Sequence, residues 1–440
     1  MNNRLEEKRV ANMSESTSSQ RKLMVAIVTA TLVTLAIVIA DLATGGRPDP
    51  PEQRAAATLL NGPWRFHTGD DPHWAYANTD DSGWETIDLT AAPGSHDDDV
   101  GLPDYVGGWM AYGHPGYTGY AWYRRAVTVP SGRAQWDVLG PTLVEDGYEI
   151  YWNGQLLGGS GRLGAHPRVV GTRPLRFALP AAAAGTRGVL AVRVFMLPRS
   201  APSAEGGGMH SAPMLAPRPI SDALHCRQWQ RTIAGYIVDA IEPLAMFALI
   251  ILMLWCWPRS SQKSFLIFAS IALALTAARR LNNAVASWTD LLDLPSYSWL
   301  AKVMWIPTVA AWTMAWNRWS ARPWRSIDVL AAVVAVAEIF GVFIPSASVT
   351  NASRLASIAL FVLIGARIVR GGPMRNLALV TMASIIAVTF GGELLDPLGV
   401  PGIWFPFGIG VSRSQYIYAL VIPLMAFLTV RTLSSESTDP

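Results

Sequence analysis

Cysteine is almost missing from this chain. In 440 residues there are two, Cys226 and Cys256, with seven histidines, and neither a CxxC pair nor a His/Cys cluster occurs. That excludes a zinc- or redox-type motif, and no metal and no cofactor are expected. The two cysteines bracket a hydrophobic run. About thirty residues of helix at ~1.5 Å per residue hold them far beyond disulfide reach, so any folded domain here must be stable without one. Charge is scarce as well. Only 15% of residues are Asp, Glu, Lys or Arg, against about 25% in soluble domains, which points to a membrane. The net charge of +3 and the lack of a dense basic stripe exclude a nucleic-acid partner.

What is present is apolar and aromatic: 51% hydrophobic residues and 18 Trp. Residues 1–22 are polar and charged, ending in Arg21-Lys22, and read as a cytoplasmic tail. The apolar or hydroxylated run at 23–40 is 18 residues long, near the ~20 that span a bilayer. A signal peptide is the rival reading, because Val38-Ile39-Ala40 resembles a cleavage site. The run exceeds the ~7–15 apolar residues of a signal, which favours an uncleaved anchor. Either way, the domain C-terminal to it lies outside the cytoplasm.

A Pro-rich linker at 41–57 leads to a different texture from 58 to 220. Runs at 64–66, 84–89, 121–129, 148–152 and 189–195 read as strands separated by Gly, Pro, Asp and Asn, which suits an antiparallel β-sandwich or jelly roll. Beyond 220 come seven apolar runs, near 233–257, 264–281, 298–316, 327–345, 353–370, 376–392 and 414–431. With the N-terminus inside, nine basic residues fall on cytoplasmic connections: Arg259, Lys263, Arg318, Arg322, Arg325, Arg367, Arg370, Arg375 and Arg431. Four fall outside (Arg279, Arg280, Arg354 and Arg413), so the positive-inside rule supports this orientation. The Arg279-Arg280 pair is discordant: a misplaced boundary, a snorkelling pair or a functional site. The segment 432–440 is too short for a folded cytoplasmic domain. The fold class is therefore an N-terminal transmembrane helix, an extracytoplasmic antiparallel β-sandwich, and a seven-helix transmembrane bundle.

The stretch VEDGYEIYWNGQLLGGSG at 144–161 is the most specific local signal. Tyr148, Ile150 and Trp152 alternate with Glu149 and Tyr151 as a half-buried strand requires. Asn153-Gly154 tolerates the positive φ of a tight hairpin, and Gly158, Gly159 and Gly161 allow close backbone approach. With LNGPWRF at 60–66, DDSGWETIDL at 80–89 and YAWYRRAVTVP at 120–130, this hairpin resembles the galactose-binding-like jelly roll that begins family 2 glycoside hydrolases. A jelly roll followed by seven helices resembles, further, the bacterial seven-transmembrane receptors with diverse intracellular signalling modules. That resemblance implies a periplasmic domain binding a carbohydrate or related small ligand, an inner-membrane location, a homodimer, and an enzymatic output domain after the helices; the chain departs from it there, so no catalysis by the chain itself is expected. The family's usual output domain is missing, which implies a separate cytoplasmic signalling partner. A transporter or polysaccharide-export accessory protein is the alternative, then a membrane-tethered carbohydrate-active enzyme.

Trp109, Tyr112 and Tyr117 stand in the glycine-rich loop before a strand, where rings can stack on sugar C–H faces, and are candidate ligand contacts. His166 and Arg168 could donate to sugar hydroxyls. Trp122 and Tyr123 read as strand core. His96-Asp97-Asp98-Asp99 with Asp104 reads as an exposed acidic loop rather than a calcium site. Asp80, Asp81, Glu145 and Asp146 are available carboxylates that the sequence does not pair as a glycosidase needs. Gly391-Gly392-Glu393-Leu394-Leu395 mimics a cyclase signature, but it ends an apolar helix and is rejected. Asp239, Glu242, Glu338, Glu393, Asp396 and Arg367 are ionisable groups in or near apolar runs, where charge is expensive and points inward. Of these, Asp239, Glu242, Glu338 and Arg367 are the coupling candidates, with Asp239 and Glu242 three apart on one helix face. Pro307 and Pro423 read as kinks.

Overall fold

The computed structural model describes residues 51–95, 104–171, 173–198, 205–320, 322–343, 347–371, 373–395 and 417–434. The tail 1–22, the run 23–40, the loop residues 96–99, the Glu393 side chain, Asp396 and Arg413 lie outside the described residues.

After a short helix α1 (Pro51–Ala55), twelve strands succeed one another: β1 (Thr58–Leu59), β2 (Pro63–Thr68), β3 (Glu85–Asp88), β4 (Gly119–Thr128), β5 (Trp136–Leu139), β6 (Val144–Glu145), β7 (Gly147–Trp152), β8 (Gln155–Ser160), β9 (Arg176–Ala178), β10 (Arg187–Met196), β11 (Gly208–Met209) and β12 (Met214–Pro217). Six form a sheet in the order β3-β2-β4-β10-β7-β8, four form a second in the order β1-β12-β5-β9, and β11 pairs with β6. All these pairings are antiparallel.

The period-two alternation decides which side chains enter the core. On β10, Leu190, Val192, Val194 and Met196 face the second sheet, while Arg193 and Phe195 face away. The inner residues join Trp64, Phe66, Tyr148, Ile150 and Trp152 against Val138 and Leu215 of the four-stranded sheet in one apolar cluster. The β7–β8 hairpin turns on Asn153 (φ 49°) and Gly154 (φ 90°), as the dipeptide predicts. Gly159 sits so close to its neighbour that a Cβ there would lie 2.1 Å from the Tyr148 carbonyl oxygen.

Eight helices complete the chain among the described residues: α2 (Arg218–Tyr236), α3 (Val238–Cys256), α4 (Lys263–Trp288), α5 (Leu294–Trp319), α6 (Arg325–Phe343), α7 (Ala347–Gly371), α8 (Arg375–Leu395) and α9 (Tyr418–Ser434). Each of the seven expected apolar runs coincides with one of α3 to α9. The stretches Arg218–Arg259, Lys263–Trp288, Arg325–Phe343 and Asn351–Gly371 are long and apolar enough to cross a membrane, and Arg375–Gly391 and Tyr418–Leu433 are shorter apolar helices. α5 falls outside this group: Ser296, Ser298, Lys302, Asn317 and Arg318 dilute its apolar character. Helix α2 is a finding that periodicity does not expose, because its residues are mostly polar. It leads straight from β12 into α3 through Ile237, which keeps helical angles (φ −60°, ψ −33°).

The discordant arginines are resolved as a misplaced boundary. α4 runs on to Trp288, so Arg279 and Arg280 lie two turns inside a helix rather than in an outer loop. Helix α5 continues through Pro307 and α9 through Pro423.

The sandwich meets the helices at defined points. Asp137 on β5 is fully buried and accepts hydrogen bonds from Arg176 Nη1 at 3.1 Å, Arg218 Nη2 at 3.1 Å and Ser221 Oγ at 2.6 Å. This one carboxylate fixes the first turn of α2 to the four-stranded sheet. A second junction joins the loop after β8 to the α4–α5 turn, where Leu294 N–H donates to Val169 O at 2.8 Å.

Candidate functional site: a groove on the outer face of the sandwich

The outward positions of β4, β7 and β10 converge on Arg193. Strand register sets it opposite Trp122 on one side and Glu149 on the other. Its guanidinium donates to Asp70 through Nε at 2.8 Å and Nη2 at 2.6 Å, to Glu149 Oε2 through Nη1 at 3.1 Å, and to Leu163 O at 2.8 Å. Its carbon lies 4.4 Å over the Tyr120 ring. Trp122 Nε1–H donates to Asp70 at 3.1 Å, and the Tyr151 hydroxyl donates to Glu149 at 2.7 Å. Planar bidentate pairing of this kind fixes orientation as well as charge. Burial alone would lower the Arg193 pKa, but hydrogen bonds and charge from Asp70, then from Glu149, hold it above its ordinary value. Burial, reinforced by Glu149, pushes the Tyr151 hydroxyl up, and burial does the same to Tyr120.

Beside this centre lies an open groove of about 500 Å³, lined by Glu149, Leu156, the backbone of Gly158, Gly159 and Gly161, and the loop 162–166 including His166. The loop is closed by reciprocal backbone hydrogen bonds between Arg162 and Arg168, both 2.9 Å. Leu163 N–H donates to Glu149 Oε1 at 3.2 Å, and the Tyr120 hydroxyl donates to Gly164 O at 2.7 Å, so the groove wall is tied to the Arg193 centre. A glycine floor with carboxylate, guanidinium and imidazole at its edges offers donors and acceptors to a ligand rich in hydroxyls.

The structure separates the residues expected to bind ligand. Trp109 has no exposed surface: its ring packs 6.1 Å from Phe66 and 5.7 Å from Tyr117, and its N–H donates to Tyr117 O at 3.1 Å. The expected stacking face is therefore corrected to a core position, because both ring faces are covered. Tyr117 is half-buried; its hydroxyl donates to Tyr120 O at 2.6 Å and accepts from Gly69 N–H at 3.0 Å, and burial raises its pKa. Tyr112 is 41% exposed and donates to Asp88 O at 3.3 Å. Neither tyrosine lines the groove, whereas His166 does. Arg168 is diverted to the helical region, donating to Asp290 O at 2.6 Å and Leu291 O at 3.4 Å. Trp122 and Tyr123 are core as expected, Tyr123 between the sheets and Trp122 in a smaller outer cluster with Ala75 and Ala191.

The carboxylates singled out from sequence have structural partners. Asp81 pairs with the buried Arg124 at 2.9 Å, and Asp80 accepts from Ser82 N–H at 3.0 Å. Glu145 accepts from Gly207 N–H at 2.6 Å, and Asp146 from Leu197 N–H at 2.9 Å. Asp104 has φ 61°, and no cluster of metal-ligating side chains forms among the described residues.

Within the helices, Asp239 and Glu242 on α3 are 0% and 2% exposed, and Arg280 Nη2 on α4 reaches both, at 3.0 and 2.8 Å. They sit inside the bundle, not in interfacial water. Glu338 on α6 is also buried, beside a void of about 10 Å³ that faces Thr313 of α5 and Ser357 of α7. Arg367 is corrected to the end of the bundle: it stacks 3.7 Å over Trp324 and donates to Arg322 O. These contacts are with the α5–α6 turn.

Sequence reading misses Arg193, Asp70 and Glu149 as one centre. Outward alternation on 148–152 and 189–195 marks Glu149 and Arg193 as same-face residues. Strand order and the return of the loop carrying Asp70, 123 positions from Arg193, have no local signature.

No family model matches the chain, and no curated protein matches it. Among solved structures, the chain is similar to Bacteroides uniformis beta-glucuronidase 2 covalently bound to cyclophellitol-6-carboxylate aziridine, at 24% identity over 36% of this chain and 17% of that one, TM-score 0.26. It is also similar to a beta-glycosidase from Bacteroides vulgatus, at 21% identity over 36% and 20%, TM-score 0.24. A third is Bifidobacterium dentium beta-glucuronidase complexed with coumarin-3-O-glucuronide, at 21% over 32% and 20%, TM-score 0.22. The chain thus spans a fifth or less of the length of each.

Proposed function

We propose that the chain is a receptor-like protein of the bacterial inner membrane that binds a carbohydrate or related polyhydroxylated small molecule in the groove beside Arg193. The helices cross the bilayer, the sandwich stands in the periplasm, and a separate cytoplasmic protein reads the helical region, as in the seven-transmembrane receptors this architecture resembles. One observation carries the reading: the loop 162–168 lines the groove with His166 on one side and, through Arg168, grips the turn between α4 and α5 on the other. A ligand that draws this loop inward therefore pulls on α4, whose Arg280 holds Asp239 and Glu242 on α3. Such coupling requires different ligand affinities in two helical arrangements.

The reading is one of binding without hydrolysis. A glycosidase sets one carboxylate as acid and a second as base or nucleophile. Here Asp70 and Glu149 both have oxygens engaged by Arg193. The test is glycan-array binding by the detergent-solubilised full chain, repeated with His166→Ala and Arg162→Ala. Saturable binding weakened about tenfold or more in both variants supports the groove, a loss on the order of one good polar contact, 1.4 kcal/mol. A folded chain that binds no glycan sinks the sugar reading, and turnover of an aryl glycoside sinks the non-catalytic one.

A further inference from the structure

The end of the bundle remote from the sandwich carries an arginine cluster that the groove and its coupling do not use. α5 starts at the sandwich and runs 26 residues, so its C-terminus lies roughly 39 Å away at 1.5 Å per residue. There the α5–α6 turn brings Arg322 and Arg325, the last turn of α7 brings Arg367 and Arg370, and the start of α8 brings Arg375. These segments are in contact: Trp319 Nε1–H donates to Pro373 O at 3.0 Å, and Arg367 donates to Arg322 O. Asp328, the one carboxylate in 318–328 and 367–375, is taken by Arg318. Among the described residues no ion pair joins Arg322, Arg325, Arg370 or Arg375 to a carboxylate, and all four are exposed.

The surroundings select the ligand. The Arg367 guanidinium carbon sits over the ring of Trp324, itself 48% exposed, and a Trp-guanidinium pair suits the level where headgroups meet acyl chains. The N-termini of α6 and α8 open at the same place, adding N–H groups and positive dipole ends for an anion. Along the same helix faces from the arginines stand exposed apolar side chains, Val329 four residues after Arg325 on α6 and Leu363 four before Arg367 on α7. An anionic group with apolar chains attached fits both surfaces; free phosphate uses only the first.

We propose that this corner is a binding site for the phosphodiester headgroup of an anionic phospholipid, with its acyl chains lying along α6 and α7. The proposal rests on the reading that these helices lie in a bilayer. To test it, the full chain is reconstituted into vesicles of phosphatidylcholine containing about one fifth phosphatidylglycerol, extracted in mild detergent, and its retained lipid measured. The wild type retains phosphatidylglycerol in preference to phosphatidylcholine. Arg322→Gln/Arg370→Gln/Arg375→Gln loses that preference by roughly a hundredfold, from about fivefold per basic residue, and the Lys triple variant keeps most of it. Equal retention of both lipids by the wild type overturns the proposal, as does displacement of phosphatidylglycerol by millimolar inorganic phosphate. A chain that never enters the vesicles refutes the bilayer reading itself.

Discussion

The sandwich and the helical region are built inside out relative to each other. In the sandwich the large apolar side chains fill the space between the sheets, and among the described residues only Leu59, Tyr76, Tyr112 and Leu156 are exposed ones. On its outer face Arg193 and Arg124 gather their carboxylates, while Asp137 is buried at the junction with α2. The helices reverse this. Leu244, Phe247, Ile251 and Leu254 of α3 and Val329, Val333, Val336 and Phe340 of α6 point outward, while Asp239, Glu242 and Arg280 meet inside. The hydrophobic effect drives apolar area out of water, so it selects the first arrangement where water surrounds the fold. Lipid removes that drive and penalises outward-facing charge instead. The two regions thus meet opposite solvent requirements, and the outward apolar faces of α3 and α6 are consistent with a membrane protein.

The largest effects should fall on the two interiors, for opposite reasons. Trp109→Ala empties a fully buried ring position in the sandwich and should cost about 3–5 kcal/mol. Early loss of amide protection in β10 during urea unfolding would register it; an unchanged profile would mean Trp109 is not core. Arg280→Met leaves two buried carboxylates without their cation and should cost a similar about 3–5 kcal/mol. Adding Asp239→Asn and Glu242→Gln should recover most of that in an SDS unfolding titration. If the triple variant is as unstable as the single one, packing rather than charge explains the loss.

A sharper test puts the same charge on the two exteriors. Val333 and Leu156 are 56% and 52% exposed. Val333→Asp should reduce membrane insertion by about 2.5–3.5 kcal/mol, whereas Leu156→Asp should stay within about 0.5 kcal/mol in sandwich stability. Equal small effects would place α6 in water. Smaller still is the junction. Arg168→Ala removes two carbonyl contacts to the α4–α5 turn, worth about 1–3 kcal/mol. It should change glycan affinity by no more than the coupling free energy, about 1–3 kcal/mol, while abolishing the ligand-induced change in amide exchange along α4. Loss of binding and coupling together would place Arg168 in the groove. His166→Ala, an exposed loop change, should shift stability by no more than about 0.5 kcal/mol and act on binding alone.

Much of this organisation is written locally. The Asn153-Gly154 turn, the alternation along 148–152 and the seven apolar runs each depend on neighbours within a few residues, and each has its counterpart in the fold. Helix α2 does not, because a polar helix packed on a sheet lacks the apolar stripe that periodicity detects. The end of α4 is hidden for a related reason: Arg280 and Asn282 look like a loop to hydropathy, yet they point into the bundle.

By itself the sequence determined the division into a β region and an apolar helical region, because solvent preference and backbone periodicity are properties of consecutive residues. Tertiary structure alone decided which charged and aromatic residues meet. Asp70, Glu149 and Arg193 are joined by strand order, Arg280 finds Asp239 and Glu242 through helix packing, and Trp109 is enclosed rather than offered to a ligand. A side chain's type states what contacts it can make. Whether it makes them depends on which distant segment the core brings alongside, and that is settled only when the sheets close and the helices pack.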